Sequence, residues 1–169
     1  SFLCLIGALF ALFTGDRWGI QGLVIAFAVS PFGLPAVADD SGLCVDALNG
    51  GPGVYSARFG GEGLDDKGRY TLLLEMLRGQ TDRAAHFHTS IVCAFPNGDE
   101  LVCEGECPGT IAFAPMGEGG FGYDPVFFVP ELRKTFGQLT AEEKASVSHR
   151  GKALRAFAVA LDDYLKGNE

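Results

Sequence analysis

Residues 85–113 read AHFHTSIVCAFPNGDELVCEGECPGTIAF, and this stretch decides the fold. Ala85, Phe87, Thr89, Ile91, Cys93 and Phe95 fall on alternate positions, the period of a strand with one apolar face. Pro96-Asn97-Gly98-Asp99 is a turn, and Leu101–Phe113 returns as a partner strand, so the two predict a long hairpin. Toward the N-terminus, Ala36–Val45 predicts a strand, a carboxylate-rich turn and a second short strand. Leu48–Gly63 is a Gly-rich loop. Asp65–Arg78 predicts a helix with Tyr70, Leu73, Leu74 and Leu77 on one face and Gly79 as its stop. Toward the C-terminus, Glu118–Tyr123 is a loop leading into the strand Pro125–Val129. Thr140 with Glu143 forms a capping box that opens a short helix. Ser148 caps a last helix whose apolar stripe is Leu154, Phe157, Ala158, Leu161 and Leu165. Strands and helices mix without strict alternation, which predicts an α/β fold with a mixed sheet.

The bulk numbers agree with one domain. The 169 residues are 47% hydrophobic and 20% charged, enough to build a core and unlike a disordered chain. A formal net charge of -8 argues against a nucleic-acid partner, which needs clustered Lys and Arg. It leaves room for a small phosphorylated ligand, because a local basic cluster or a bound cation reverses the field in one pocket. The cysteines Cys4, Cys44, Cys93, Cys103 and Cys107 are odd in number and lack the two-residue gap of zinc or redox motifs. They read as reduced, buried small hydrophobes, which favours a cytoplasmic setting over a secreted one.

Composition shifts near Pro35. Residues 1–13 and 23–29 are strongly apolar, and Asp16 and Arg17 are the only charges before Asp39. Neither run reaches the about 20 residues of a spanning helix, and no basic region precedes them as in a signal peptide. The chain is therefore divided into an atypical apolar segment, 1–33, and a domain, 34–169. The first residue is Ser, which fits a fragment, and a membrane hairpin, a buried strand pair or translated sequence foreign to the fold all remain open for residues 1–33.

Three groups of residues can carry chemistry. In Asp39-Asp40-Ser41-Gly42, adjacent acids at a strand end supply hard oxygen ligands for magnesium, and a carboxylate there can take a proton from water. The same tetrapeptide also reads as a solvated turn. In Gly119-Gly120-Phe121-Gly122-Tyr123-Asp124, glycines let the backbone approach a flat ligand, Phe121 or Tyr123 can stack on a base, and Asp124 can accept from its edge. The alternative is a tight turn whose aromatics feed the core. Lys144, His149 and Arg150 can donate to phosphate or to a base carbonyl, with the last two at a positive helix end. Arg58 suits a phosphate contact or an acid partner. His86 and His88 share one strand face without a third metal ligand nearby.

Together LPAVADDSGLCVDALNGGPGVYSARF (34–59), GEGGFGYDPVFFVP (117–130) and LTAEEKASVSHRGKAL (139–154) resemble the inosine triphosphate pyrophosphatase family, also called XTP/dITP diphosphatases. The resemblance implies an elongated α/β fold with a central mixed sheet, flanking helices and two lobes around a nucleotide cleft, in a homodimer. It implies magnesium-dependent hydrolysis of ITP, dITP and XTP to the monophosphate and pyrophosphate, which clears the nucleotide pool of deaminated purines. It places Asp40 as the proton-accepting catalytic acid and metal ligand, and Asp39 as its acidic neighbour. It places Ser41, Phe121, Gly122, Tyr123, Asp124, Lys144, His149 and Arg150 as substrate contacts. One departure stands out. The family opens with a loop of Thr, Asn and Lys that grips the triphosphate, whereas residues 1–33 contain no Lys, Glu or Asn. Thr14-Gly15-Asp16-Arg17 echoes that loop faintly, and the segment is shorter than the family's. The N-terminal lobe is thus expected to be incomplete and turnover weak or absent. The competing readings are an impaired remnant of this fold or a membrane-associated protein.

Overall fold

A computed structural model describes residues 33–167. In chain order these form β1 (Ala36–Val45), β2 (Gly51–Gly53), α1 (Asp66–Met76), β3 (Ala84–Ala94), β4 (Glu100–Ile111), β5 (Phe127–Val129), β6 (Lys134–Thr135), α2 (Ala141–Val147) and α3 (His149–Gly167), with short 3-10 turns at Asp46–Leu48, Ser56–Arg58 and Phe136–Gln138. The strands make a six-stranded sheet in the order β2-β1-β3-β4-β5-β6. The pairs β1/β2, β4/β5 and β5/β6 run antiparallel. The class is α/β, as the sequence predicts. The apolar runs before Gly33, Cys4 and the Thr14–Arg17 echo lie outside the described residues. Among the described residues, no helix is long and apolar enough to cross a membrane.

The described chain divides into two compact units: residues 41–88 with 105–152, and residues 33–40, 89–104 and 153–167. The first unit holds the larger core, built from Leu43, Val45, Leu73, Leu77, Phe87, Ile111, Val126, Phe127 and Phe136. Tyr70 and Leu74 pack against it, so α1 buries the face that its spacing predicts. Asp65 starts that helix by accepting from the Gly68 N–H at 2.7 Å, satisfying one of the four donors a helix start leaves open. In the second unit, Phe95 accepts from the Gly98 N–H and donates to the Asp99 carbonyl, which closes the Pro96–Asp99 turn. Tyr164 of α3 stacks on Phe95 at 4.1 Å and donates to the Asp99 carboxylate at 2.8 Å.

Three expectations change. Residues Ala36–Val45 form one uninterrupted strand rather than two around a turn. The cause is pairing: Leu43, Cys44 and Val45 face Gly53, Pro52 and Gly51 across the ladder, which overrides the turn preference of Asp39–Gly42. On β3 the alternation does not mark one wet face, because Thr89 to Ala94 are all buried, whichever face each side chain leaves from. On α3 the less exposed side carries buried Ala153 and half-buried Phe157, Ala160, Leu161 and Tyr164, while Leu154, Ala158 and Leu165 are exposed. The contacts of Tyr164 with Phe95 and Asp99 set that rotation.

Candidate active site

A strand alternates its side chains. Because β1 is continuous through Asp39 and Asp40, the two carboxylates leave opposite faces: Asp39 is exposed, and Asp40 is half-buried with its Oδ2 withdrawn from solvent. The acidic pair is therefore not a two-carboxylate clamp. The Asp40 carbonyl accepts from the Thr89 hydroxyl at 2.9 Å, which fixes this point of β1 against β3. Ser41 follows directly, and its Oγ accepts from the Arg150 guanidinium at 3.1 Å. A contact across 109 residues brings the first and third motifs together.

The loop at 119–124 is tied in at several points. Gly119 donates to the Gly137 carbonyl at 3.0 Å, and Gly137 donates back to the Asp124 carbonyl at 2.8 Å. Asp124 is 3% exposed. Its Oδ2 accepts from the Phe121 N–H at 2.8 Å and from the Lys144 ammonium at 2.5 Å. A Cβ on Gly120 would stand 1.9 Å from that oxygen, and Gly120 also has φ +77°, so no other residue fits there. Asp124 thus folds the loop and binds Lys144; its Oδ2 does not face outward as a free acceptor for a base. Lys144 in turn spends its charge on Asp124 and lies 4.8 Å from the centre of the Phe121 ring, a cation–π contact.

The two aromatics of the loop divide. Phe121 is 67% exposed and presents a ring face, whereas Tyr123 is 5% exposed and belongs to the core. The Tyr123 hydroxyl donates to the Ser56 carbonyl at 2.8 Å, and burial pushes its pKa up to about 12, so it is a donor at neutral pH and not a base. The expectation that either ring stacks on a base narrows to Phe121. His149 opens α3 but is buried, its ring stacked on Phe87 at 4.6 Å and 13°. Phe136 lies beside two residues of the third motif: its ring is 5.3 Å from the Lys144 ammonium and 6.5 Å from the His149 ring. Sequence reading missed Phe136, which only the fold brings beside both Lys144 and His149. Ser56 was missed as well; its Oγ accepts from the Leu43 N–H at 2.8 Å and donates to the Gly53 carbonyl at 2.6 Å.

The remaining candidates play smaller parts. Arg58 is exposed and lies 5.7 Å from the Tyr55 ring centre. His88 contacts Glu106 at 3.2 Å through Nδ1. Cys44, Cys93, Cys103 and Cys107 are free thiols, each raised in pKa by burial first of all, as inert small hydrophobes should be. Among the described residues, no group of three or more His, Cys, Asp or Glu can cage a metal. One inward carboxylate, Asp40, does suit a magnesium-type ion, which keeps most of its water and takes its other oxygens from a substrate's phosphates.

Residues 22–160 match the Ham1 family, a span that holds all three motifs and reaches upstream of Leu34. The chain belongs to the Ham1 family. Among its relatives is a dITP/XTP pyrophosphatase of an Exiguobacterium species, 51% identical over 140 residues, which span 83% of this chain and 71% of that protein. The dITP/XTP pyrophosphatase of Thermus thermophilus is 52% identical over 143 residues, spanning 83% and 69%. The solved Staphylococcus aureus Ham1 protein superposes with a TM-score of 0.82 at 40% identity, covering 92% of this chain and 80% of that one.

Proposed function

We propose that this Ham1 chain hydrolyses non-standard purine nucleoside triphosphates (ITP, dITP and XTP) to the monophosphate and pyrophosphate. The observation that carries the reading is the Arg150–Ser41 contact, which ties a permanent cation of the third motif to the residue that follows Asp40 in the first. The pyrophosphatase relatives, alike over at least 69% of their own lengths, support the substrate class.

In this reading Asp40 accepts the proton of the attacking water and holds magnesium. Magnesium, when bound, would neutralise phosphate charge and polarise the phosphorus under attack. Arg150, with the start of α3 behind it, stabilises the charge that develops on the phosphates or donates to the base oxygen at position 6. His149 can serve the same oxygen, although its stacking on Phe87 makes it first a support for Arg150. Adenine carries an amino group at position 6, which would meet a donor rather than an acceptor, so ATP is disfavoured. Phe121 offers a face for the base. A homodimer and a cytoplasmic setting belong to the same proposal, and the second accords with the free, mostly buried thiols.

The experiment is pyrophosphate release from ITP and from ATP, with and without magnesium. The proposal expects turnover of ITP that needs magnesium and exceeds ATP turnover by at least about tenfold. Equal rates on the two nucleotides would remove the base-recognition part, and no turnover of ITP would favour the impaired remnant.

A further inference from the structure

The loop at 119–124 is held from outside its own motif by a residue that none of the three motifs contains. Asp66 is the first residue of α1, and its Oδ2 accepts from the Gly122 N–H at 2.7 Å across 56 residues. Its Oδ1 accepts from Arg69 at 3.1 Å, which orients the carboxylate. Gly122 has φ +60°, in the left-handed region, and nothing lies within 4 Å of where a Cβ would stand. The glycine there answers a backbone need, and the bent backbone aims its N–H at Asp66. One residue to each side, Phe121 donates to Asp124, and Tyr123 reaches Ser56. Three consecutive residues are thus fixed by three separate acceptors. Of those acceptors, Asp66 alone is a charged side chain from outside the loop.

We infer that Asp66 is a positioning residue for the base-contacting loop: its carboxylate pins Gly122 and so sets the angle at which Phe121 meets the purine. The inference rests on the proposed function for the identity of the ligand, but the anchoring of Gly122 stands apart from it. A charge-assisted bond to a backbone N–H is stronger than a neutral one. This one is open to water on one side, so its loss loosens the loop rather than unfolding it.

The test uses Asp66→Ala, Asp66→Asn and Arg69→Ala in the full chain. Amide exchange at Gly122 is measured by NMR, with KM and kcat for ITP and the affinities for IMP and for tripolyphosphate, which has no base. Asp66→Ala is expected to raise Gly122 exchange and the KM for ITP by about five- to tenfold each, leaving kcat and tripolyphosphate affinity within about twofold. Asp66→Asn, which keeps an acceptor oxygen, restores most of the KM. Arg69→Ala, which spares the Gly122 contact, has under half the effect of Asp66→Ala. Unchanged Gly122 exchange in Asp66→Ala would overturn the inference, and so would an equal effect in Arg69→Ala. Failure of the base reading looks different: Phe121→Ala would leave IMP affinity intact while Gly122 exchange still responds to Asp66→Ala.

Discussion

The turn at Pro96–Asp99 and the loop at Gly119–Asp124 are both short, glycine-bearing and polar, yet they are built in opposite ways. The turn closes on itself: Phe95, Asn97, Gly98 and Asp99 supply nearly all of its hydrogen bonds, with Tyr164 the one distant addition. The loop draws on acceptors and donors from four other places, Ser56, Asp66, Gly137 and Lys144. A turn that satisfies its own backbone is cheap to form and needs nothing from the fold. A loop whose shape depends on distant partners is ordered only once the fold exists, which is how an exposed aromatic such as Phe121 is held on an otherwise irregular segment. The local device joins strands, and the distributed one holds an exposed ring in place, as the proposed function requires of a ligand-binding loop.

The comparison can be broken by substitutions. The largest expected effect is at the chemistry itself. Asp40→Asn should lower kcat for ITP by about a hundred- to ten-thousandfold, read by pyrophosphate release, with the fold intact by circular dichroism. Arg150→Ala should weaken ITP binding by about tenfold or more, whereas Arg133→Ala, an exposed cation outside the three motifs, should change it by under about twofold; calorimetric titration checks both. Tyr123→Phe should cost about 1–3 kcal/mol in urea unfolding, because the Ser56 carbonyl loses a buried donor, and it should perturb ITP binding. Substituting Asn97 in the self-contained turn should leave ITP binding untouched. The smallest effect belongs to Thr140→Ala. It removes the capping box of α2, in which Thr140 and Glu143 satisfy each other's N–H, at about 1 kcal/mol of stability.

Sequence legibility follows the same division. The β3–β4 hairpin, the buried face of α1 and the α2 capping box are local patterns, and each is visible in a window of a few residues. The continuity of β1 was not, because Asp39–Gly42 has a turn composition that pairing of Leu43–Val45 with β2 overrules. The buried cation Arg83 carried no signal at all. It donates to the carbonyls of Leu77, Ile111 and Ala112, beneath a Phe113 ring that is 81% exposed, and so joins the end of α1 to the end of β4. Of the candidate site, residue types and chain order were readable. The division of labour was not: Phe121 outward and Tyr123 inward, or Asp124 spent on Lys144, is settled by burial and long-range contacts.

In the proposed reaction, water activated by Asp40 attacks the first phosphate of a purine triphosphate. Hydrolysis of ITP in oxygen-18 water, followed by phosphorus NMR of the products, tests it directly. Equal amounts of IMP and pyrophosphate are expected, with the heavy oxygen in IMP alone and product formation all but absent in Asp40→Asn. Orthophosphate as the main product, label in pyrophosphate, or equal rates in the two proteins would contradict it.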